Sequence, residues 1–389
     1  MQYDMAHNLS MTSTPYDFAI VGGGMAGASV AFRLAASSRV VLLERESQPG
    51  YHTTGRSAAM FMESYGPAGV RALTRASRDF YTSPPLHFAE KTLLRPRGAL
   101  YVARHDQADA LRAMAEELRQ SIPNLEHLTA EQSLALAPCL RPENLLGALW
   151  DPDSQDIDVN ALLQGFLKGF KLAGGTLQCN ADLSEAKFDR NCWSLRLKNG
   201  AEVQAKCVVN ASGAWGDEVA MLMGAKPIGL IPRRRSAFTF KAPEGVAIQA
   251  WPAVVGIEED WYFKPDAGQL FGSPANADDT FPHDVLPEQM DIAIGIDRIM
   301  AATNLEIKRP SSQWAGLRTF APDGEMVIGF DDACPQFFWL VGQGGYGIQS
   351  AAGYSSLAAC LLQRQELTPD LIACGVDARM FDVHRFRTS

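Results

Sequence analysis

A chain of 389 residues, 47% hydrophobic and 20% charged, has enough apolar material for about two packed domains. Its formal net charge is −9 and no basic patch dominates, which excludes nucleic acid as a partner. No apolar run reaches the ~18 residues of a membrane span, and seven scattered cysteines without a C-x-x-C pair exclude a disulfide framework or a metal cluster. That cysteine usage fits a reducing cytoplasm, with a peripheral position at the inner membrane as the alternative. Residues 1–14 contain no Lys or Arg and read as a disordered extension rather than a secretory signal.

The first strong signal runs from Tyr16 to Gly27: a short apolar strand, a glycine turn and the start of a helix. Gly22, Gly24 and Gly27 fill the spacing G-x-G-x-x-G. In a dinucleotide site these glycines allow a tight turn, admit a pyrophosphate and let the helix pack closely. An Ala-rich helix to Ala36 and a second strand, Val40 to Leu43, follow, and Glu44 stands 22 residues after Gly22. An acid there holds a ribose hydroxyl pair and disfavours a 2′-phosphate. The alternative is a purely structural β-α-β turn.

Further along, Thr53 to Ala59 reads as a helix start capped by Thr54 or Ser57. Helices are predicted over 67–80 and 107–120, with a strand from Leu93 to Ala103 broken by Pro96 and Gly98. Asp158 caps a helix over 159–172, which Gly174 and Gly175 end. Strands follow near 176–187, 193–198 and 202–209, the last running into Ala211, Ser212 and Gly213, small residues suited to a chain passing under a cofactor. Residues 227–309 change to strands and loops: a strand from Ser236 to Phe240, a hairpin from Trp261 to Phe271, and a helix over 287–302. The strand Phe337 to Val341 then meets a second glycine turn, Gly342 to Gln349, and another helix. Its N-terminal amides suit an anion or a carbonyl-rich ring.

Together, Pro49 to Ala59, Asn210 to Trp215, Arg234 to Phe240, Tyr262 to Gly268, Gly272 to Ala277, Trp314 to Phe320 and Gln343 to Gln349 resemble the FAD-dependent amine and D-amino-acid dehydrogenases and oxidases of the glutathione-reductase-like fold. Within them the chain is most similar to the bacterial D-arginine dehydrogenases. The resemblance implies an α/β fold with a Rossmann-like FAD-binding domain over 15–90, 145–225 and 310–389. A substrate-binding domain on a mostly antiparallel sheet would take 91–144 and 226–309.

The resemblance also implies roles. Gly22, Gly24, Met25, Ala26 and Gly27 surround the FAD pyrophosphate, Glu44 holds the adenosine ribose, and Arg45 and Leu183 lie by the adenine. Thr54, Gly55, Arg56, Ser57, Ala58 and Ala59 pass along the pyrophosphate and flavin, with Ala211, Gly213, Gly316 and Arg318 close by. Gly344, Gly345, Tyr346, Gly347, Ile348 and Gln349 meet the flavin's pyrimidine end. Arg235 and Arg318 clamp a substrate carboxylate, a task for which a guanidinium fork is suited. Tyr65 and Tyr262 wall the site, with Gly345 and Tyr346 facing substrate. FAD is expected to be non-covalent, and no metal is expected.

The implied activity is oxidation of a D-amino acid to the imino acid, which water converts to a 2-oxo acid and ammonia. A quinone or O₂ then takes the electrons. Two positions depart from the D-arginine pattern: Gly98 stands where a distal acid is expected and Met60 where a histidine is expected. An unpaired cation is costly to bury, so apolar or aromatic D-amino acids are expected over D-Arg. The alternatives are an N-methyl amino-acid (sarcosine-type) oxidase, an FAD-dependent 2-hydroxy-acid dehydrogenase and a flavin-bearing binding protein.

Overall fold

The structure is a computed structural model that describes residues 14–119 and 122–387. The expected extension over 1–14 therefore lies, except for Thr14, outside the described residues.

The first sheet is built on Tyr16–Val21, which pairs in parallel with Val40–Leu43 on one side and Glu202–Asn210 on the other. Thr176–Gln178 extends it beyond Val40–Leu43, and Phe337–Val341 pairs with the end of Glu202–Asn210, both in parallel. The sequence pattern explains the choice: VVLL and FFWLV are buried at every position, as strands covered on both faces must be. Side chains alternate between two cores. Ile20, Leu42, Val209 and Phe338 face the helices Met25–Leu34, Val159–Leu172 and Ala351–Gln363, while Ala19, Val41, Val208 and Trp339 face the opposite layer. That layer includes the hairpin Leu183–Asp189 and Cys192–Leu197. Asp158 does cap Val159–Leu172, accepting from the Ala161 amide at 2.8 Å.

The second sheet has nine strands. Ile231–Phe240 pairs along one edge with Ser312–Phe320 and along the other with Gln269–Ser273 and Asp278–Asp279. The sheet continues through Tyr262–Asp266, Ala253–Gly256, Ala99–Arg104, Leu145–Asp151 and Glu126–Thr129. Every pairing is antiparallel except Ala253–Gly256 with Ala99–Arg104. One face packs Phe238, Val254, Phe263 and Leu270 with Ile292 and Ile299 of the helix Gln289–Ala302. The other face looks back toward the first sheet. A small third sheet pairs Gln155–Ile157 with Met60–Phe61 and Leu94–Pro96, both antiparallel.

Three expectations need correction. Leu145–Asp151 and Ser312–Phe320 fell in the segments assigned to the FAD-binding domain, yet both pair into the second sheet. Leu145–Asp151 in fact supplies the partner strand for Glu126–Thr129, so the division follows the ladders rather than residues 145 and 310. The helix expected from Thr53 is a single 3₁₀ turn, Thr54–Arg56. The helix expected over 67–80 is two, Ala68–Arg75 and Arg78–Thr82, parted at Ser77, whose hydroxyl donates to Leu73 O and accepts from the Gly353 amide.

Candidate active site

The end of the first strand is shaped by close approaches. Gly22 sits at φ +108, and a Cβ on it would lie 2.4 Å from Ala211 O. A Cβ on Gly27 would lie 1.8 Å from Gly22 O, so helix Met25–Leu34 can approach the turn only with glycine there. The Met25 amide donates 3.0 Å to the Thr54 hydroxyl. Thr54 therefore caps this helix rather than its own turn. The next amides, Ala26 and Gly27, have no intrahelical acceptor, as at any helix start, and the helix dipole adds to their pull on an anion.

Glu44 closes the cradle. Its two carboxylate oxygens accept from the Gly23 amide at 2.8 Å and the Glu46 amide at 2.9 Å. Burial raises its carboxyl above the usual range, against the lowering pull of those amides. Remaining lone pairs are available to ribose hydroxyls. Beyond it, the Arg45 guanidinium lies 4.9 Å over the Trp215 ring, with Leu183 on the same cavity.

This cradle opens into one continuous cavity of about 590 Å³ between the two sheets. Gly22, Gly24, Met25, Ala26, Glu44 and Thr54 line one end. Ser57, Ala58, Ala59, Ala211, Gly213 and Gly316 follow along the walls. Gly344, Gly345, Gly347, Ile348 and Gln349 complete it, beside Arg235, Arg318, Tyr65 and Tyr262. The residues thus fit an extended dinucleotide carrying a flat ring system: a glycine turn at a helix start, an acid for a ribose, and a small-residue floor.

Three expected contact residues stand apart from the cavity wall. Gly27 serves packing, as above. Gly55 donates 2.8 Å to Gly50 O, and a Cβ on it would strike that oxygen at 2.5 Å. Tyr346 packs edge-on behind Tyr65, with ring centroids 4.9 Å apart, and faces a second hollow of about 290 Å³. Arg56 does border the cavity, but its guanidinium is committed to the second unit, donating to Val285 O at 3.0 Å, to Ala315 O at 3.1 Å, and to Asp284. The Gln349 amide holds Tyr65 O and the Thr74 hydroxyl, both at 3.1 Å.

The two arginines come from neighbouring strands. Arg235 is opposite Gly316, and Arg318 lies two residues on, so both face the cavity. Arg318 Nη1 donates 3.2 Å to the Tyr65 hydroxyl, and Arg235 Nε donates 2.6 Å to Asn276 O. Neither has a carboxylate in salt-bridge range among the described residues. Burial, and then the like charge of Arg318, lowers the Arg235 guanidinium. Burial alone would raise the Tyr262 phenol, yet Arg318 and Arg235 bring it below the ordinary tyrosine value. A Cβ on Gly345 would lie 2.7 Å from Arg318 Nη1, which explains glycine in that turn.

Sequence reasoning missed the second sheet's inward face. Tyr101, Val255 and Phe271 line the cavity, as do Lys264 and Glu259. Glu259 also borders the smaller hollow, and its carboxyl is raised by burial against the pull of Arg235 and Arg318. Strand parity carried part of this signal: Lys264 stands two residues from Tyr262 and shares its face.

Gly98 requires a correction. It is not among the cavity-lining residues, it sits at φ +72, and a Cβ on it would lie 1.9 Å from the Trp150 ring. It is a turn glycine between Leu94–Pro96 and Ala99–Arg104, not a vacated acid position. Glu63, an acid two residues before Tyr65, is paired with Arg78 at 2.7 Å.

Residues 17–361 match the FAD dependent oxidoreductase family, and the chain belongs to it. Glycine oxidase of Geobacillus kaustophilus (strain HTA426) is 24% identical over 370 residues, 92% of this chain and 95% of that protein. A crystal structure of glycine oxidase from Geobacillus kaustophilus superposes with a TM-score of 0.80 at 22% identity, over 95% of this chain and 99% of that one. L-2-hydroxyglutarate dehydrogenase of Escherichia coli (strain K12) is 27% identical over 240 residues, and that match spans 59% of this chain and only 55% of that protein. L-alpha-glycerophosphate oxidase of Mycoplasma pneumoniae, a structure with FAD bound, gives a TM-score of 0.81 at 18% identity over 92% of this chain and 96% of that one. No helix among the described residues is long and apolar enough to cross a membrane.

Proposed function

We propose that the protein oxidises the α-carbon of a D-amino acid, giving the imino acid and then, by hydrolysis, the 2-oxo acid and ammonia. The observation that carries this reading is the pair Arg235 and Arg318, two cavity-facing guanidiniums with no carboxylate in salt-bridge range among the described residues. Their missing partner is a substrate carboxylate, held by charge-assisted bonds. FAD, when bound, supplies the acceptor for the α-hydride.

The chain's own groups bind, orient and exclude water. The two arginines fix the carboxylate, and Tyr65 and Tyr262 wall the same end, so the α-carbon is held in one orientation. Glu259 adds a negative group to that cavity, matching the amino end of a zwitterion. The bound ammonium must first give up a proton, which water or Glu259 can take, and the lone pair of the resulting neutral amine then assists loss of the α-hydride. An alcohol is a far weaker acid than an ammonium group and needs a strong base for its hydroxyl proton, and the histidine that lines the cavity, His52, is bonded to Glu46 at 3.0 Å. This favours an amine over a 2-hydroxy acid. The D configuration rests on the resemblance of the clamp segments to D-amino-acid dehydrogenases.

The 2-hydroxy-acid reading is kept for one reason, the 27% identity to L-2-hydroxyglutarate dehydrogenase. Anaerobic loss of flavin colour decides between them, with D-amino acids, sarcosine and 2-hydroxy acids tested on the purified holoprotein. Rapid bleaching by a D-amino acid supports the proposal. Bleaching by hydroxy acids alone, or by sarcosine alone, overturns it, and bleaching by none supports a binding protein.

A further inference from the structure

The cavity holds a third cation that the carboxylate clamp does not use. Lys264 is 5% exposed, lines the cavity, and lies on the strand of Tyr262 with Phe271 opposite it. It lies two positions on from Tyr262, about 6.6 Å further along the same face. Its Nζ donates 2.5 Å to Asp156 Oδ1. The other oxygen of Asp156 already accepts from Arg97 Nε at 2.7 Å. One carboxylate thus serves two cations, and a positive charge is left over at the cavity wall. Lys264 has three N–H donors, and Asp156 is its one side-chain acceptor among the described residues. Lys264 makes no other salt bridge among the described residues.

Excess charge at a buried site is costly until an anion meets it. We propose that Lys264 anchors a second carboxylate on the substrate's side chain, so that the preferred substrates are dicarboxylic amino acids of the aspartate and glutamate type. This rests on the α-amino-acid reading above and replaces the expectation of apolar or aromatic side chains. The bland reading is that Lys264, Asp156 and Arg97 only tie the small sheet to the large one.

The test uses the FAD-loaded protein and two unreactive probes of equal carbon number, glutarate and pentanoate, with binding read from the flavin spectrum. Glutarate is expected to bind about tenfold or more tightly, and Lys264→Met is expected to remove the difference. In turnover, D-Glu or D-Asp should exceed D-Leu in kcat/KM by a similar factor. Pentanoate binding as tightly as glutarate in the wild type, or D-Leu leading in turnover, overturns the proposal. The wild-type comparison stands whether or not the variant folds. If no amino acid reduces the flavin, the amine reading falls, while the glutarate–pentanoate difference still decides the role of Lys264.

Discussion

Arg318 and Tyr65 meet across 253 residues of sequence, the guanidinium donating to the phenol oxygen at 3.2 Å. The bond joins a strand of the second sheet to the loop after Met60–Phe61, and it orients a cation that has no carboxylate partner among the described residues. Replacing Arg318 or Arg235 by Met should cost about 2–5 kcal/mol in kcat/KM, as for truncating half of a buried charge pair. FAD content should be retained. Steady-state kinetics with flavin quantitation checks this, and normal kcat/KM in both variants would remove the clamp.

Tyr262 sets a pH dependence. Burial opposes ionisation of its phenol, but Arg318 and Arg235 outweigh it and hold the folded value below the ordinary one. Its phenolate therefore contributes stability at alkaline pH that is lost as pH falls through the folded value. A bound carboxylate takes over the arginines' charge and pushes the phenol back up, so binding carries proton uptake. Affinity for a carboxylate inhibitor should weaken as pH rises through a value below the usual tyrosine range. Tyr262→Phe should flatten that limb, and tyrosinate absorbance should report the titration directly.

Gly98→Glu is a test of packing rather than of specificity. The backbone at φ +72 and the Trp150 ring 1.9 Å from a Cβ leave no path into the cavity. The substitution should destabilise the fold by about 1–3 kcal/mol or more, read as a lowered Tm, with no gain in D-Arg oxidation. A folded variant with raised D-Arg activity would contradict the placement of Gly98.

For the cofactor, acid or heat should release FAD from the yellow protein. Glu44→Ala removes an acceptor for ribose hydroxyls and should weaken FAD binding about 10–100-fold. Thr54→Val removes the cap on the Met25 amide and should cost about 1 kcal/mol of stability. Titration of apoprotein with FAD and thermal melts separate the two effects. Unchanged FAD affinity in Glu44→Ala would detach Glu44 from the ribose.

Local patterns were legible in the sequence. The turn at Gly22, Gly24 and Gly27 announces itself because backbone approach demands glycine, and Asp158 because a cap needs a short polar side chain. What stayed hidden depends on partners far along the chain. Thr54 looked like a cap for its neighbours, yet its hydroxyl serves Met25. Leu145–Asp151 gave no hint of which sheet would take it, since ladder register is set by tertiary pairing. Lys264 was readable only through Tyr262, by the two-residue parity of a strand. Gly98 misled because a resemblance aligned it with an acid, while its positive φ makes it a turn.

The pairing of Glu202–Asn210 with Phe337–Val341 bears on how the chain is made. Val208, Val209 and Asn210 pair on one edge with Ala19, Ile20 and Val21, but their neighbours on the other edge are Phe337, Phe338 and Trp339, and the whole second sheet except for its early strands is synthesised in between. A growing chain on the ribosome therefore carries an open apolar strand edge for a long interval, the kind of edge on which chains aggregate. Yield in a heterologous host is expected to depend on chaperone supply and slow synthesis more than on the strength of the finished core.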